Sequence, residues 1–260
     1  MSIQITTELI KELRDSTGVS VMQCRKALEE AEGDMEKALL VLKKKSSDIA
    51  MKKADREAHE GSITVISNGN KTVIFTLYCE TDFVAKNEDF VNLAKTLANQ
   101  ALNEGVDAMK ESSTELINTV VQKCGEKIEL GKVEMVEGDV VGSYVHMGKT
   151  AVVVSLEGGS TEIARDIAMH IAAMKPAYIT REEIDEKASS AVREMFEKEV
   201  SESDKPEDIK AKILEGKINT YFKEQTLLDQ SFIKNPDITI ATLLSNNKAV
   251  IKSVSRESIG

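Results

Sequence analysis

The chain has 260 residues, of which 41% are hydrophobic and 30% charged, and this composition predicts a soluble globular protein with a sizeable core. A net charge of −10 opposes nonspecific attraction to phosphate backbones, so we do not expect direct nucleic-acid binding. No stretch approaches the roughly 20 apolar residues of a membrane span, and the start shows no signal-peptide pattern, so we expect a cytoplasmic protein without membrane contact.

The first 42 residues carry apolar residues at helical spacing in three short segments. Gly18 and Gly33 stand where the first two helices are expected to end, and Asp34 is the expected N-cap of the third. Ser20 and Gln23 have the spacing of a capping box at the start of the second helix. The residues predicted to face inward are Leu9, Ile10 and Leu13, then Val21, Cys24, Ala27, Leu28 and Ala31, then Met35, Ala38, Leu39 and Leu42.

The segment Lys43–Arg56 has six basic and two acidic residues and lacks a clean apolar stripe. Charge runs of this kind are more often solvated than functional, so we interpret it as a linker, with or without a helical part. Contact with an acidic partner surface stays open as an alternative. Residues 1–54 are thus predicted to form a three-helix N-terminal module with its linker.

The centre of the chain contains a degenerate repeat of two strands and a helix. In the first copy of the repeat, 61–98, two strands with alternating apolar and polar residues flank an expected turn at Asn68-Gly69. The second copy of the repeat, 142–172, has the same pattern. A further helix is predicted between the two copies, over Glu115–Lys127. We therefore predict an α+β fold with two related halves, each an antiparallel sheet covered by helices. The predicted halves are residues 55–140 and 141–260.

Residues 181–225 are densely charged, with two helical stripes interrupted by the sequence SESDKPED. Pro206 suits the first turn of the second helix. We predict an antiparallel coiled-coil hairpin, inserted in the second half, that projects from the body. In the C-terminal residues we predict a short helix near 240–244 and a last strand over 249–254.

The sequence contains no complete motif of the common enzymes or metal sites. Gly148-Lys149-Thr150, preceded by Gly142, resembles a phosphate-binding loop, but it has one residue too many between the glycines and leads into a predicted strand. Glu80 and Asp82 are close in sequence but point to different sides of an extended segment. Cysteines and histidines are too scattered for a redox pair or a metal site: Cys24, Cys79 and Cys124, and His59, His146 and His170. We expect no cofactor and no metal, and we interpret the cysteines as reduced.

Several segments carry a resemblance to a known family. The sequence CETDFVAKNEDF, Cys79–Phe90, closely resembles the hallmark of the elongation factor Ts family, and Leu13–Ala38 resembles its other signature. Further similar segments follow in the same order: GEKIE at 125–129, EGDVVGSYVH at 137–146, and IAMHIAAMKP at 167–176. The resemblance thus covers nearly the whole chain.

This resemblance implies a guanine-nucleotide exchange factor in translation elongation, not an enzyme, that binds elongation factor Tu in its GDP-bound and nucleotide-free states. It also implies a ubiquitin-associated-like N-terminal module. Thr81–Val84, here called the wedge segment, would enter the partner beside its magnesium site, with Thr81, Asp82, Phe83 and Val84 in contact. The further partner contacts implied are Arg14, Val21, Met22, Arg25, Cys124, Gly125, His146 and Ile233. The residues alone leave two alternatives equally open for Phe83: its side chain is buried in the core of this chain, or it is exposed and contacts a partner.

Overall fold

The structure is a computed structural model that describes residues 5–203 and 205–260, so the first four residues of the predicted N-terminal module and Asp204 of the predicted hairpin lie outside the described residues. Helices mix with small antiparallel sheets, as expected for the α+β class. The chain divides into two compact units. The first holds the chain through Glu137 with Val145–Ala151 and Glu257–Gly260, and the second holds Gly138–Tyr144 and Val152–Arg256.

Three helices begin the chain: α1 (Thr7–Thr17), α2 (Val21–Glu30) and α3 (Met35–Lys53). Gly18 ends α1 in the left-handed conformation, and side chains of Ser20 and Asp34 cap the next two helices as predicted. The capping box is only half formed, because the Gln23 side chain accepts a hydrogen bond from Gln122 at 3.3 Å. The small core that holds this module together consists of Leu13, Val19, Cys24, Ala27, Leu28, Ala31, Ala38 and Leu42.

Two predictions for this region are wrong. Val21 and Leu39 are exposed and do not belong to the core. Most of the predicted solvated linker is instead a continuation of α3, which runs unbroken to Lys53, so the helical alternative holds. The physical reason is that this charged stretch still has a narrow inward face: Ser46 is buried, and Ile49 and Ala50 pack against the core beneath the first sheet.

The first sheet has the order β1-β2-β3 and is antiparallel, with strands β1 (Glu60–Asn68), β2 (Lys71–Cys79) and β3 (Ile128–Glu137). Its inner face packs on α5 (Glu88–Glu104) and α6 (Val106–Cys124). The hairpin turn is Gly69-Asn70, one residue later than predicted, because Asn68 pairs with Lys71. The helix predicted over Glu115–Lys127 begins earlier and ends at Cys124, where Gly125 has a φ of 75°. The sequence analysis did not predict β3.

The second sheet has the order β4-β5-β8, with strands β4 (Val140–His146), β5 (Thr150–Glu157) and β8 (Val250–Ser258). Behind it lie α7 (Thr161–Met174) and α10 (Ile240–Asn246), with a small hairpin of β6 (Ser231–Phe232) and β7 (Asn235–Thr239). The predicted short helix and last strand are therefore present, and the strand extends to Ser258. Val152, Val154 and Ile167 are fully buried in this second core.

The two helices of the predicted hairpin are α8 (Glu186–Ser201) and α9 (Glu207–Gln225). They are antiparallel, because Ser201 at the end of α8 accepts a hydrogen bond from Lys210 near the start of α9, at 3.5 Å, whereas Phe196 further back on α8 meets Tyr221 further along α9. Phe196 and Tyr221 pack edge to face with their ring centroids 6.0 Å apart. In the part of the chain that the structure describes, no helix has the length and apolarity needed to cross a membrane.

The root of the helical pair is joined to its own unit. The backbone N–H groups of Ala177 and Tyr178 donate to the carbonyl of Gln225, and Arg181 forms an ion pair with Asp229. A deletion that tests independence of the pair should therefore spare these residues.

We predict that replacing residues 194–214 with a short glycine-serine linker leaves the rest of the chain folded. The ends to be joined, Arg193 and Glu215, already lie side by side. A cooperative thermal transition should remain, with a loss of helical circular dichroism that matches the removed residues. Disappearance of that transition would contradict the prediction.

Candidate functional site

The wedge segment lies in the connection between β2 and α5, and its last three residues begin a short helical turn, α4 (Asp82–Ala85). Thr81 is the N-cap of this turn and has extended backbone geometry. Its hydroxyl oxygen accepts a hydrogen bond from the backbone N–H of Val84 at 3.4 Å. The cap directs the chain sharply from strand into helix and places Asp82 and Phe83 at the start of the turn.

Glu126, in the connection between α6 and β3, fixes the wedge segment. The backbone N–H of Thr81 donates to Glu126 Oε2 at 3.0 Å, and the Thr81 hydroxyl donates to Oε1 at 2.7 Å. Beside it, the backbone N–H of Lys127 donates to Glu80 Oε1 at 2.6 Å. Hydrogen bonds to a charged carboxylate are stronger than neutral ones. The residues before and within the wedge segment are thus joined to the chain that follows α6.

Phe83 and Val84 are adjacent in sequence but differ completely in burial. The Phe83 residue is 81% exposed, whereas Val84 is 8% exposed and packs in the core of the first sheet. Phe83 is therefore not a plug of its own core. Val84 does not contribute to the exposed surface of the wedge segment, because its side chain fastens the turn to the sheet.

Asp82 forms an ion pair with Lys86 one helical turn later, at 2.7 Å. The hydrogen bond from Lys86 and, to a lesser extent, the positive charges of Lys86 and Lys149 lower the pKa of the Asp82 carboxyl. Glu80 is held by Arg56 at 3.1 Å. The two carboxylates thus have different partners and do not form the closely spaced pair that acid–base catalysis uses.

The two cysteines near the wedge segment are protonated thiols at neutral pH. Burial, together with the negative charge of Glu126, raises the pKa of Cys79 to about 12. Its Sγ donates to the carbonyl of Thr81 at 3.1 Å. Burial also raises the pKa of Cys124. Because the thiolate is the reactive form, neither is suited to nucleophilic chemistry, and Cys79 instead helps to hold the wedge segment.

Gly125 is the left-handed C-cap of α6, and its carbonyl accepts a hydrogen bond from Lys53 at the end of α3. One turn earlier, Gln122 bonds Gln23 of the N-terminal module. The end of α6 therefore joins the wedge segment to that module within the first unit. The structure brings Cys124 and Gly125 close to the wedge segment, and their contact with a partner stays a prediction.

The N-terminal residues expected to contact a partner all lie on the surface of α1 and α2: Arg14, Val21, Met22 and Arg25. Val21 is 52% exposed and Met22 is 68% exposed, so they present an apolar patch at the start of α2. Arg25 pairs with Glu29 at 2.8 Å. The role of this surface in partner binding stays a prediction.

His146 and Ile233 lie in different units. His146 is exposed at the end of β4, next to the turn into β5, and this turn leads into a strand, so Gly148-Lys149-Thr150 is a hairpin connection. Ile233 is 44% exposed at the turn between β6 and β7 in the second unit.

The position of Ile233 is fixed by the fully buried His170 of α7. The backbone N–H of Ile233 donates to His170 Nδ1 at 3.3 Å, so Nδ1 is unprotonated. The other ring nitrogen, Nε2, therefore carries the proton and donates to Gln230 Oε1 at 2.8 Å. Burial lowers the pKa of His170, and the bond to Gln230 opposes this only in part. The ring is neutral and holds the turn in place.

The residues that support the predicted contacts could not be identified from the sequence pattern: Glu126, Glu80 and His170. Thr81 and Glu126 are 45 positions apart, and nothing in the local pattern of either segment signals their pairing. His170 had a sequence signal, since a polar residue stands in the otherwise apolar stripe of α7. A buried histidine needs hydrogen-bond partners, but the sequence does not say which.

A family model described as Elongation factor TS matches residues 80–260, which is more than half of the chain. The matched range begins at Glu80, so it includes the wedge segment, the end of α6, His146 and Ile233. The N-terminal module lies before it.

We predict that Glu126→Ala loosens the wedge segment. The change removes both acceptors of Thr81 and should lower the free energy of unfolding by about 1–3 kcal/mol, with faster amide hydrogen exchange at Phe83 and Val84. The matched control is Glu129→Ala, because Glu129 is exposed and forms only a surface ion pair with Lys127. That change should have an effect below about 1 kcal/mol. Equal effects of the two substitutions in urea denaturation would contradict the supporting role of Glu126.

A second prediction concerns pH. Because the folded-state pKa of His170 is lowered, its contribution to stability is complete above the ordinary histidine pKa of about 6.5 and is lost as pH falls through the folded-state value. The free energy of unfolding of the wild type should therefore decline between about pH 7 and pH 5 more steeply than that of His170→Gln, which keeps a donor and an acceptor without a titrating ring. Parallel declines in urea titrations would show that another group is responsible.

Proposed function

The chain belongs to the elongation factor Ts family, whose members act in guanine-nucleotide exchange during translation elongation, and from this premise we propose that it exchanges nucleotide through the wedge segment. The family implies binding to elongation factor Tu. The observation that carries the proposal is Phe83, an 81% exposed aromatic side chain on a turn that Glu126 and the buried Val84 hold in place. An exposed apolar residue on a fixed loop is suited to insertion into a partner.

The proposed mechanism is physical displacement. Asp82 and Phe83 enter the nucleotide domain of the GDP-bound partner beside its magnesium site. Their entry disturbs the elements that hold the ion, which bridges the nucleotide phosphates. With the cation displaced, the phosphate charge is less neutralised and the affinity for GDP falls. GTP can then bind to the nucleotide-free partner.

Linkage requires that the effect be reciprocal. If the bound exchange factor weakens GDP binding by some factor, GDP weakens binding of the exchange factor by the same factor. No covalent bond is made or broken in this chain, which is therefore proposed not to be an enzyme in the usual sense. The protonated thiols of Cys79 and Cys124 support this view.

The remaining partner contacts fall into two groups. Arg14, Val21, Met22 and Arg25 are proposed to anchor the N-terminal module on the nucleotide domain of the partner. Val21 and Met22 support this role, because their exposed side chains offer an apolar surface at the start of α2. His146 and Ile233 are proposed to meet a different part of the partner. We place this activity in the cytoplasm, where the partner would be present.

The decisive measurement is the dissociation rate of labelled GDP from elongation factor Tu, with and without the full chain. The proposal expects faster release that saturates with the concentration of the chain. An unchanged rate at concentrations that form a complex would refute the exchange function.

Within this assay, Phe83→Ala and Val84→Ala form a matched pair of adjacent truncations. Phe83→Ala should leave the urea midpoint nearly unchanged, since the side chain is exposed, but should reduce binding to the partner by about 1–4 kcal/mol. Val84→Ala should lower the free energy of unfolding by about 1–3 kcal/mol, because it leaves a space in the core. Full exchange activity of Phe83→Ala would overturn the role of the wedge segment.

A further inference from the structure

The turn between β4 and β5 places a methionine in an unfavourable conformation. The backbone N–H of Lys149 donates to the carbonyl of His146 at 2.9 Å and closes a two-residue turn. Both central residues have positive φ, 52° for Met147 and 68° for Gly148. A turn with two positive φ values favours asparagine, aspartate or glycine at both positions, because other side chains clash with the backbone. Gly148 fits this rule and Met147 does not.

Met147 is also 85% exposed, so an apolar side chain stands in water on a strained backbone. The other described non-glycine residues with positive φ are polar: Glu32, Lys175 and Lys248. Nothing in the described part of the chain packs over Met147 in a way that offsets either disadvantage. Strained residues that the surrounding structure imposes cluster at functional sites, so this outlier suggests a role outside the folding of the chain.

The turn is held firmly by two segments of the first unit, β1 and the residues that follow β8. The carbonyl of Gly148 accepts from the N–H of Ile63 at 2.7 Å, and the carbonyl of Lys149 accepts from the N–H of Ile259 at 2.8 Å. The Lys149 ammonium forms an ion pair with Glu60. Met147 is therefore presented on a fixed support.

The same turn lies near the wedge segment. Glu60 stands opposite Cys79 in the first sheet, and Cys79 comes two residues before Thr81. The charge of Lys149 contributes to the lowered pKa of Asp82, and the charge of Glu60 contributes to the raised pKa of Lys86. The turn between β4 and β5, which carries Met147, and the start of α4 thus lie in one region of the first unit.

We propose that Met147 is a second apolar contact, in addition to Phe83, for the same partner protein, and that it binds an apolar patch on the part of the partner that the neighbouring His146 meets. This rests on the proposed function but concerns a residue that the sequence analysis did not single out. The ligand is a protein surface and not a phosphate, because the Lys149 ammonium is taken by Glu60 and its backbone N–H by His146. An unbranched thioether side chain adapts well to an irregular apolar surface.

The test uses the full-length chain carrying Met147→Asn. Asparagine tolerates positive φ, so the thermal midpoint should stay equal or rise, while stimulation of GDP release at subsaturating concentration should fall by about fivefold or more. Met147→Leu keeps an apolar side chain and should retain most of the activity. Lys248→Asn is the matched control, because it relieves the same backbone conformation at an exposed site of the second unit and should not change exchange.

The outcomes separate the two proposals. If the wild type does not accelerate GDP release, the proposed function fails and the contact falls with it. If the wild type is active and Met147→Asn is equally active, the proposed function stands and the role of Met147 is refuted. Equal losses for Met147→Leu and Met147→Asn would refute an apolar contact. A photo-crosslinking amino acid at position 147 should join to the partner, and failure to crosslink in a complex that forms would refute proximity.

Discussion

The two hydrogen bonds from Thr81 to the carboxylate of Glu126 are the interaction on which the presentation of the candidate site depends. Without them, the chain between β2 and α5 would have no polar partner for the backbone N–H that begins the wedge segment. Ordering a loop when it binds a partner reduces the affinity, because the lost conformational freedom opposes association. A segment that is already ordered in the free protein avoids this loss. The two hydrogen bonds from Thr81 to Glu126 therefore matter more for partner binding than their modest contribution to the free energy of folding suggests.

The short helix α4 explains how one turn serves folding and exposure together. Successive residues of a helix point in directions about 100° apart, since there are 3.6 residues per turn. With Val84 turned into the core, Phe83 must leave it, and Asp82 reaches Lys86 along the outer surface. The exposure of Phe83 is thus a geometric consequence of the burial of Val84. A chain that buried Phe83 would have to rotate the whole turn and withdraw Val84.

The sequence predicted the parts of this structure that depend on local pattern. The alternation of apolar and polar residues predicted β1 and β2, and the helical spacing of apolar residues predicted α5 and α7. The segment Cys79–Phe90 indicated the family that the comparison supports. Prediction from the sequence failed where distant residues decide the outcome. Lys43–Lys53 was interpreted as a linker because most of its residues are charged or polar. Ile49 and Ala50 form the buried face of a helix there because they pack against the core beneath the first sheet, and the local sequence does not show this contact. The pairing of Thr81 with Glu126 is likewise tertiary. The partner-contacting roles of the site residues stay predictions.

The ion pair of Asp82 with Lys86 suggests how a carboxylate can be directed toward a site that contains phosphates. In the free protein the pair is neutral as a whole, which limits repulsion during the first approach to a negatively charged nucleotide. Both side chains are well exposed, and exposed pairs contribute little free energy because water screens them. Asp82 can therefore exchange Lys86 for groups of the partner at small cost. A buried pair would resist such an exchange, because separating it leaves an uncompensated charge in a medium of low polarity. The surface position of the pair thus fits the proposed mechanism, in which Asp82 changes its partners each time a complex forms and dissociates.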